Sequence, residues 1–441
     1  MIESRPGPGQ VCDDTSANAF YGLAVSPIAP ALTAEPKASV TLAALSLLFF
    51  VVTAGTFSSL GVVLPDMVRT LNWTWTQAGL GFTILAVVCG LASYAPTLVI
   101  RTLGVRATLA LGGAVMAAGF ACLYFAHGVG LYYLGAGLEG LGFALTAIIP
   151  GAYVLARSFR HVSAALGVYF TVGGLGGVAG PWLYFLVRAA SGDWRAYWLT
   201  LAIACLFLGP LAALSVRDLD VGESQPSSVV ATAAPRPPIF RTAYDWTVRQ
   251  ALGTWQFWVI VAAYTTNLLV EVTVNSASVA HLTGRGVAAD VAGAVLSLQA
   301  LVSVVARGIG GGLGERVDPR KLTAIALGLL AVGVGALALA HGGGMIGAYA
   351  LLVGAGYGLN YLAATVLLLN YFGRGKNLEL FSTMCLISTV AAFGPVLAGR
   401  IKDATGDFAP AFWVIAAISA LVLVAMAAMR PPKPPEPESA A

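Results

Sequence analysis

The chain has 441 residues, 58% of them hydrophobic and only 10% charged, with a mean hydropathy of +0.82 and a formal net charge of +4. A soluble domain carries about 25% charge, so the composition excludes a water-soluble enzyme and requires a polytopic membrane protein. No Gly-x4-Gly-Lys-Ser/Thr loop, no paired acidic or nucleophile motif and no His or Cys pair at metal spacing occurs, which argues against an enzyme, an ATP-driven pump, a cofactor and a metal site.

Residues 1–38 are polar and Pro-rich, without a basic-then-apolar cleavable pattern, and are expected to form a disordered cytoplasmic tail. Apolar stretches long enough to span a bilayer then recur at 40–65, 77–99, 107–127, 131–155, 164–187 and 196–215. Residues 218–253 hold Pro226, Pro235, Pro237, Pro238 and a Ser/Ala run, and read as a cytoplasmic linker. Further stretches follow at 254–280, 291–311, 322–341, 346–371, 380–400 and 410–429, before a short tail at 431–441. The expected fold is all-α, with twelve transmembrane helices in two pseudo-symmetric six-helix bundles, 39–217 and 254–430. With both termini inside, 17 Lys and Arg fall on the cytoplasmic side and 6 outside, which fixes the orientation and accounts for the net charge without nucleic acid. Asn72-Trp73-Thr74 is a glycosylation sequon, but it lies close to the membrane, and a bacterial inner membrane and a functional monomer are expected.

One constant shift along the chain superimposes landmarks of the two halves. Ala78-Gly79 meets Ala292-Gly293, Gly140 and Gly142 meet Gly354 and Gly356, Arg160 meets Arg374, and Gly180-Pro181 meets Gly394-Pro395. Parallel repeats of this kind predict a pseudo-two-fold axis along the membrane normal. The intramembrane charges break this symmetry. Arg307 corresponds to Ser93, Glu271 to Phe57 and Glu139 to Val353. A scaffold residue would be duplicated, so these three are the functional candidates.

Arg307 lies ~12 Å from Glu315 at the membrane surface, at about 1.5 Å per residue. A guanidinium at that depth is costly unless it meets an anion, a wet cavity or a structural partner, or snorkels to the headgroups. Glu271 and Glu139 are candidates for proton coupling, because desolvation favours the protonated form of a carboxyl; the competing reading for both is a hydrogen-bonded structural carboxylate. Asn360, Tyr357, Tyr361 and Gln299 are the polar groups that can converge on a midplane substrate site, or else tie helices together.

Gly311-Gly-Leu-Gly-Glu-Arg-Val-Asp-Pro-Arg-Lys321, with Glu315, Arg316 and Arg320, resembles the signature loop of the major facilitator superfamily; Arg101-Thr-Leu-Gly-Val-Arg106 is a degenerate first-half copy. Gly167, Gly176, Gly180 and Pro181 match the spacing of that superfamily's antiporter motif, with Tyr184 and Phe185 in place of its final glycines. Segments 60–83, 369–382 and 393–413 resemble the monocarboxylate transporter family and its oxalate–formate exchanger relatives. The resemblance implies that Arg307 in the eighth helix meets a substrate carboxylate. Ser303 stands where many proton-coupled members carry an aspartate, and no lysine occurs between Leu380 and Leu397, which disfavours a dicarboxylate. It further implies a conformational role for the loop residues and for Gly176, Gly180 and Pro181. Carried through the repeat to the first-half loop, it leads to the expectation that Arg101 pairs with Glu379 across the halves when the cavity opens outward, the alternative being two solvated loop charges.

The expected function is secondary transport of a small monocarboxylate or related organic anion by alternating access, as a proton symporter or an exchanging antiporter. Efflux of a drug or metabolite and a non-transporting sensor are the alternatives.

Overall fold

Inside lipid every backbone N–H and C=O must find a partner within the protein, and helices solve this locally. The structure, a computed structural model, describes residues 36–159, 162–216, 240–242, 244, 246–313, 317–340, 342–373 and 377–433, and its regular elements are all helical. The expected tail at 1–38 is outside the described residues up to residue 35, as are residue 217, residues 218–239, 243 and 245 of the expected linker, and the C-terminal stretch from residue 434.

The long apolar helices are α1 (Ala38–Leu71), α2 and α3 (together Trp75–Tyr124), α4 (Val129–Leu155), α5 (Ala165–Ser191), α6 (Arg195–Ser215), α7 (Trp255–Gly284), α8 (Ala289–Gly310), α9 (Pro319–Leu339), α10 (Gly342–Phe372), α11 (Glu379–Thr405) and α12 (Ala409–Ala428). Trp75–Tyr124 has 50 residues, about 75 Å of helix, which is enough for two crossings. The turn between α2 and α3 is Gly104, at φ 82° and ψ 165°, a conformation that glycine adopts without a Cβ clash. The second and third crossings therefore join at one residue, where the sequence suggested a loop over 100–106.

The repeat is visible at atomic contacts. Gly140 packs on the Leu85 carbonyl and Gly354 on the Gln299 carbonyl; Gly142 packs on Met116 and Gly356 on Leu330. Each pair is one contact made twice, once in each half. A Cβ at any of these four glycines would stand 2.5–2.9 Å from its nearest neighbour, so close helix approach depends on them. Arg160 and Arg374, the remaining landmark pair, lie outside the described residues.

The halves meet through α1 on α7, α2 on α11 and α5 on α8. The last two are symmetry mates, and the repeat landmarks form them: Gly79 packs on the Pro395 backbone, and Gly293 packs on Phe185 and Pro181. These contacts lie toward the end that carries the Asn72, Gly192 and Gly286 turns, the end that the Lys and Arg distribution leads one to expect outside and that is called the outer end below. There Asp403 of α11 accepts from the Trp75 and Thr76 amides at 3.0 and 2.8 Å and from the Thr76 hydroxyl at 2.5 Å. A carboxylate so placed caps the start of α2 and suits the positive end of its dipole. Thr74 closes the same corner with a capping box: it accepts from the Gln77 amide while Gln77 accepts from its own. The sequon hydroxyl is thereby occupied in the cap.

Within each half the outer end is clasped by ions. Asp66 on α1 takes Arg188 and the Tyr184 hydroxyl from α5, with Arg69 at 3.0 Å. This explains Tyr184 and Phe185, the departures from the antiporter glycines: one bonds Asp66 and the other seats Gly293. In the second half Asp407 takes Arg285 at 3.2 Å and stands 3.3 Å from His281 Nδ1. Partial burial pushes the Asp407 carboxyl up, yet the Ala409 amide, His281 and Arg285 together hold it below the usual carboxylate value.

Gly176 lies on the Phe50 carbonyl of α1, and Gly180 on the Ser59 hydroxyl and the Ala54 carbonyl. Ala54–Ser58 is a π-helical turn, a departure frequent at functional sites. Ser59 donates to the Ala54 carbonyl, and Tyr197 donates to Ser59 at 2.7 Å. The Gly180→Leu side chain would collide with this turn, so folded yield and transport are expected to fall together for every substrate. Thermal unfolding and uptake measured on the same preparation check this.

Candidate functional site

Gln299, Ser303 and Arg307 are spaced i, i+4, i+8 and share one face of α8. Gly354 and Gly358 of α10 pack on the carbonyls of Gln299 and Ser303, and Gly358 also approaches the Arg307 amide. Two glycines thus bring the α10 backbone against α8, and the tyrosines beside them flank the arginine. The Arg307 guanidinium carbon lies 4.9 Å from the Tyr357 ring centre and 5.3 Å from that of Tyr361. Such cation–π contacts contribute roughly 0.5–2 kcal/mol each. Arg307 is half-buried, and its Nε is buried without a hydrogen-bond partner. Tyr264 of α7 tilts against Tyr361 at 5.9 Å and meets Phe381 of α11 edge-on at 6.1 Å.

Glu271 lies on α7 within electrostatic reach of Arg307 but out of ion-pair contact with it. One carboxylate oxygen accepts from Asn275 Nδ2 at 3.2 Å and the other from Gln299 Nε2 at 3.3 Å. Gln299 Oε1 accepts in turn from the Tyr349 hydroxyl at 2.7 Å. Arg307, Tyr357, Tyr361, Gln299 and Glu271 therefore form one group, held by α7, α8 and α10.

Asn360 is directed elsewhere. It is fully buried and its Nδ2 donates to the Ala263 carbonyl at 3.0 Å, tying α10 to α7. Glu139 also stands apart. It is fully buried, packs against Gly119 of α3, and neither carboxylate oxygen has a hydrogen bond. Its neighbours Tyr132, Tyr197, Cys122 and Cys205 belong to the first half.

Arg101 and Glu379 are both exposed, and neither a hydrogen bond nor an ion pair joins them. Arg320 donates to the Met429 carbonyl, linking the start of α9 to the end of α12. Glu315 and Arg316 lie outside the described residues. No group of three or more His, Cys, Asp or Glu that could hold a metal occurs among the described residues.

Sequence reasoning missed Tyr349, which orients Gln299, and Tyr264, which backs Tyr361. For Tyr349 the signal was available, because the repeat matches it to Gly135 and so breaks there as it does at Arg307 and Glu271; Tyr264 is matched to Phe50, another ring, and leaves no such mark.

The model of the Major Facilitator Superfamily matches residues 45–392. Monocarboxylate transporter 11 of Homo sapiens is 26% identical over 372 residues, 81% of this chain and 76% of the relative. Among solved structures, a bacterial homolog of the human lysosomal transporter Spinster, in an inward-facing and unoccupied conformation, superposes with a TM-score of 0.71 at 17% identity, covering 89% of this chain and 96% of the other. The nucleoside transporter NupG superposes with a TM-score of 0.69 at 12% identity, covering 90% and 100%. At these identities the structural likeness speaks for the fold alone.

Asn360→Leu removes a buried interhelical hydrogen bond and touches nothing at Arg307. It should lower stability by about 1–3 kcal/mol and leave substrate affinity within twofold. Thermal unfolding and ligand binding on the purified variant separate the two effects.

Proposed function

The chain belongs to the Major Facilitator Superfamily, a transporter fold rather than an enzyme, and on that premise we propose that it carries a small monocarboxylate or related organic anion by alternating access. The observation that carries this reading is Arg307, a half-buried cation held between two tyrosine rings with its Nε unbonded. A substrate carboxylate bonds that guanidinium in a low-dielectric setting, where a charge-assisted bond is strong. The likeness to a human monocarboxylate transporter points to the same class.

The repeat extends the reading to the rest of the substrate. The first-half counterparts of Glu271 and Tyr357 are Phe57 and Phe143, whose rings meet edge-on at 5.5 Å. One half offers a cation, and the matching place in the other offers apolar rings. The carboxylate goes to Arg307, and the hydrocarbon body goes toward Phe57 and Phe143.

Glu271 takes the coupling proton. An anion on Arg307 and a proton on Glu271 enter together without net charge, which lowers the cost of crossing the membrane interior. Asp403 and the Gly79 and Gly293 contacts join the two halves at the end expected outside, which leaves the opposite end as the side from which the halves can part in this reading.

Arg307→Ala should weaken carboxylate binding about 10- to 100-fold, the loss expected for one charge-assisted hydrogen bond. Lysine at this position restores little, because it lacks the planar fork. Uptake of a carboxylate panel into proteoliposomes checks this; undiminished uptake by Arg307→Ala, with neutral compounds carried as well, would favour efflux instead. Glu271→Gln should abolish uptake driven by a pH gradient and spare substrate exchange. Equal loss of both modes would assign Glu271 a structural role.

A further inference from the structure

Glu271 ends a row of hydrogen-bonding side chains that the transport cycle outlined above does not use. We propose that Gln299, Tyr349 and Ser278 form a reversible hydrogen-bond chain that satisfies Glu271 both with and without its proton. This rests on the reading of Glu271 as the proton carrier.

In the present arrangement the Tyr349 hydroxyl donates to Gln299 Oε1 at 2.7 Å, which leaves the Gln299 amide nitrogen to donate to Glu271 at 3.3 Å. Asn275 donates to the other carboxylate oxygen at 3.2 Å. Two donors aimed at two oxygens suit an ionised carboxylate, which only accepts. A protonated Glu271 needs an acceptor instead. Half a turn of the Gln299 amide presents Oε1 to the new O–H and turns the NH2 group toward the Tyr349 oxygen. The tyrosine hydroxyl, which both donates and accepts, then directs its own proton to a different acceptor.

Ser278 follows Glu271 and Asn275 at i, i+4, i+7 on one face of α7, the face that carries the Glu271 hydrogen bonds, and its Oγ lies within reach of that hydroxyl. Ser278 is 1% exposed, and its Oγ makes no well-formed hydrogen bond in the present arrangement. It is the acceptor that the reversed chain requires. Gln299 and Tyr349 are equally buried, so water does not substitute for them. The proton reaches Glu271 at its own half-buried side chain; nothing passes along the chain, which only reverses its direction of donation.

The groups facing Glu271 are few. Arg307 on α8 is the charge, and Tyr349 and Tyr357 on α10 are the titratable neighbours. On the other helices that pack against α7, the charged side chains stand at the ends: Asp66 and Arg69 on α1, Arg101 on α2, Arg320 and Lys321 on α9, and Glu379, Arg400, Lys402 and Asp403 on α11. His281 stands at the outer end of α7 itself.

The test is an infrared titration of the full chain in lipid, with the Glu271 carboxyl band assigned by its loss in Glu271→Gln. Only the protonated arrangement needs Ser278 as an acceptor. Ser278→Ala should therefore weaken proton binding at Glu271 about three- to tenfold and move the midpoint to lower pH. In a Tyr349→Phe background the same substitution should do nothing, because the link is already cut. Both changes are small, and the remainder of the infrared spectrum reports whether the fold is kept.

An unmoved midpoint in Ser278→Ala, an equal shift in the Tyr349→Phe background, or a Glu271 band that does not titrate overturns the chain. Loss of gradient-driven uptake in Glu271→Gln alongside either of the first two leaves the carrier reading standing, whereas a Glu271 band that does not titrate overturns the carrier reading as well. A Ser278-dependent midpoint with gradient-driven uptake intact in Glu271→Gln overturns the carrier reading and leaves the chain standing.

Discussion

The cost of keeping Arg307 charged within the membrane governs the second half of this protein. A guanidinium in hydrocarbon must be surrounded by groups that replace its water, and here those groups come from two other helices. Tyr357 and Tyr361 present their ring faces from α10, and Glu271 presents its field from α7. For the rings to reach, α10 has to approach α8 more closely than side chains normally allow. Gly354 and Gly358 make that approach possible by resting on carbonyls of α8. The polar ties Gln299–Glu271, Tyr349–Gln299 and Asn360–Ala263 then fix the three helices relative to one another.

The same scaffold is used twice with opposite chemistry. Leu85 is the counterpart of Gln299, Phe57 of Glu271, Phe143 of Tyr357 and Gly135 of Tyr349. The glycine contacts that set helix spacing are kept in both halves, while the side chains that those contacts orient have diverged. The symmetric frame thus holds an asymmetric interior, charged and polar in one half and apolar or small at the matching places of the other.

The frame was legible in the sequence because it rests on composition, length and a fixed offset, and each of these maps directly onto helices and their contacts. The glycine and proline landmarks proved to be the contact points themselves, as Gly79 on Pro395 and Gly293 on Pro181 demonstrate. The site was legible only in part. Intramembrane charge singled out Arg307 and Glu271, which share a site, but equally singled out Glu139, which packs inside the first half. Polarity likewise selected Asn360 beside Gln299, although one serves the α7–α10 tie and the other bonds Glu271. Depth and polarity do not reveal which face of a helix a side chain occupies. The π-helical turn at Ala54–Ser58 escaped notice for a related reason: it is a backbone response to packing and leaves no composition mark.

The Asp403 clasp has a consequence for how this family member can vary. Two of its three bonds are to backbone amides, of Trp75 and Thr76, and those amides are present whatever residues occupy the positions. The information for the clasp is therefore one-sided: α11 encodes it in a single carboxylate, and α2 supplies the greater part of its share simply by beginning there. No compensating exchange on α2 replaces a lost carboxylate, and a change at Trp75 need not be answered on α11. Paired substitutions, the usual trace of a contact between distant segments, would hardly accumulate across this one. A junction that bonds the two halves would stay nearly silent in any comparison of covarying positions.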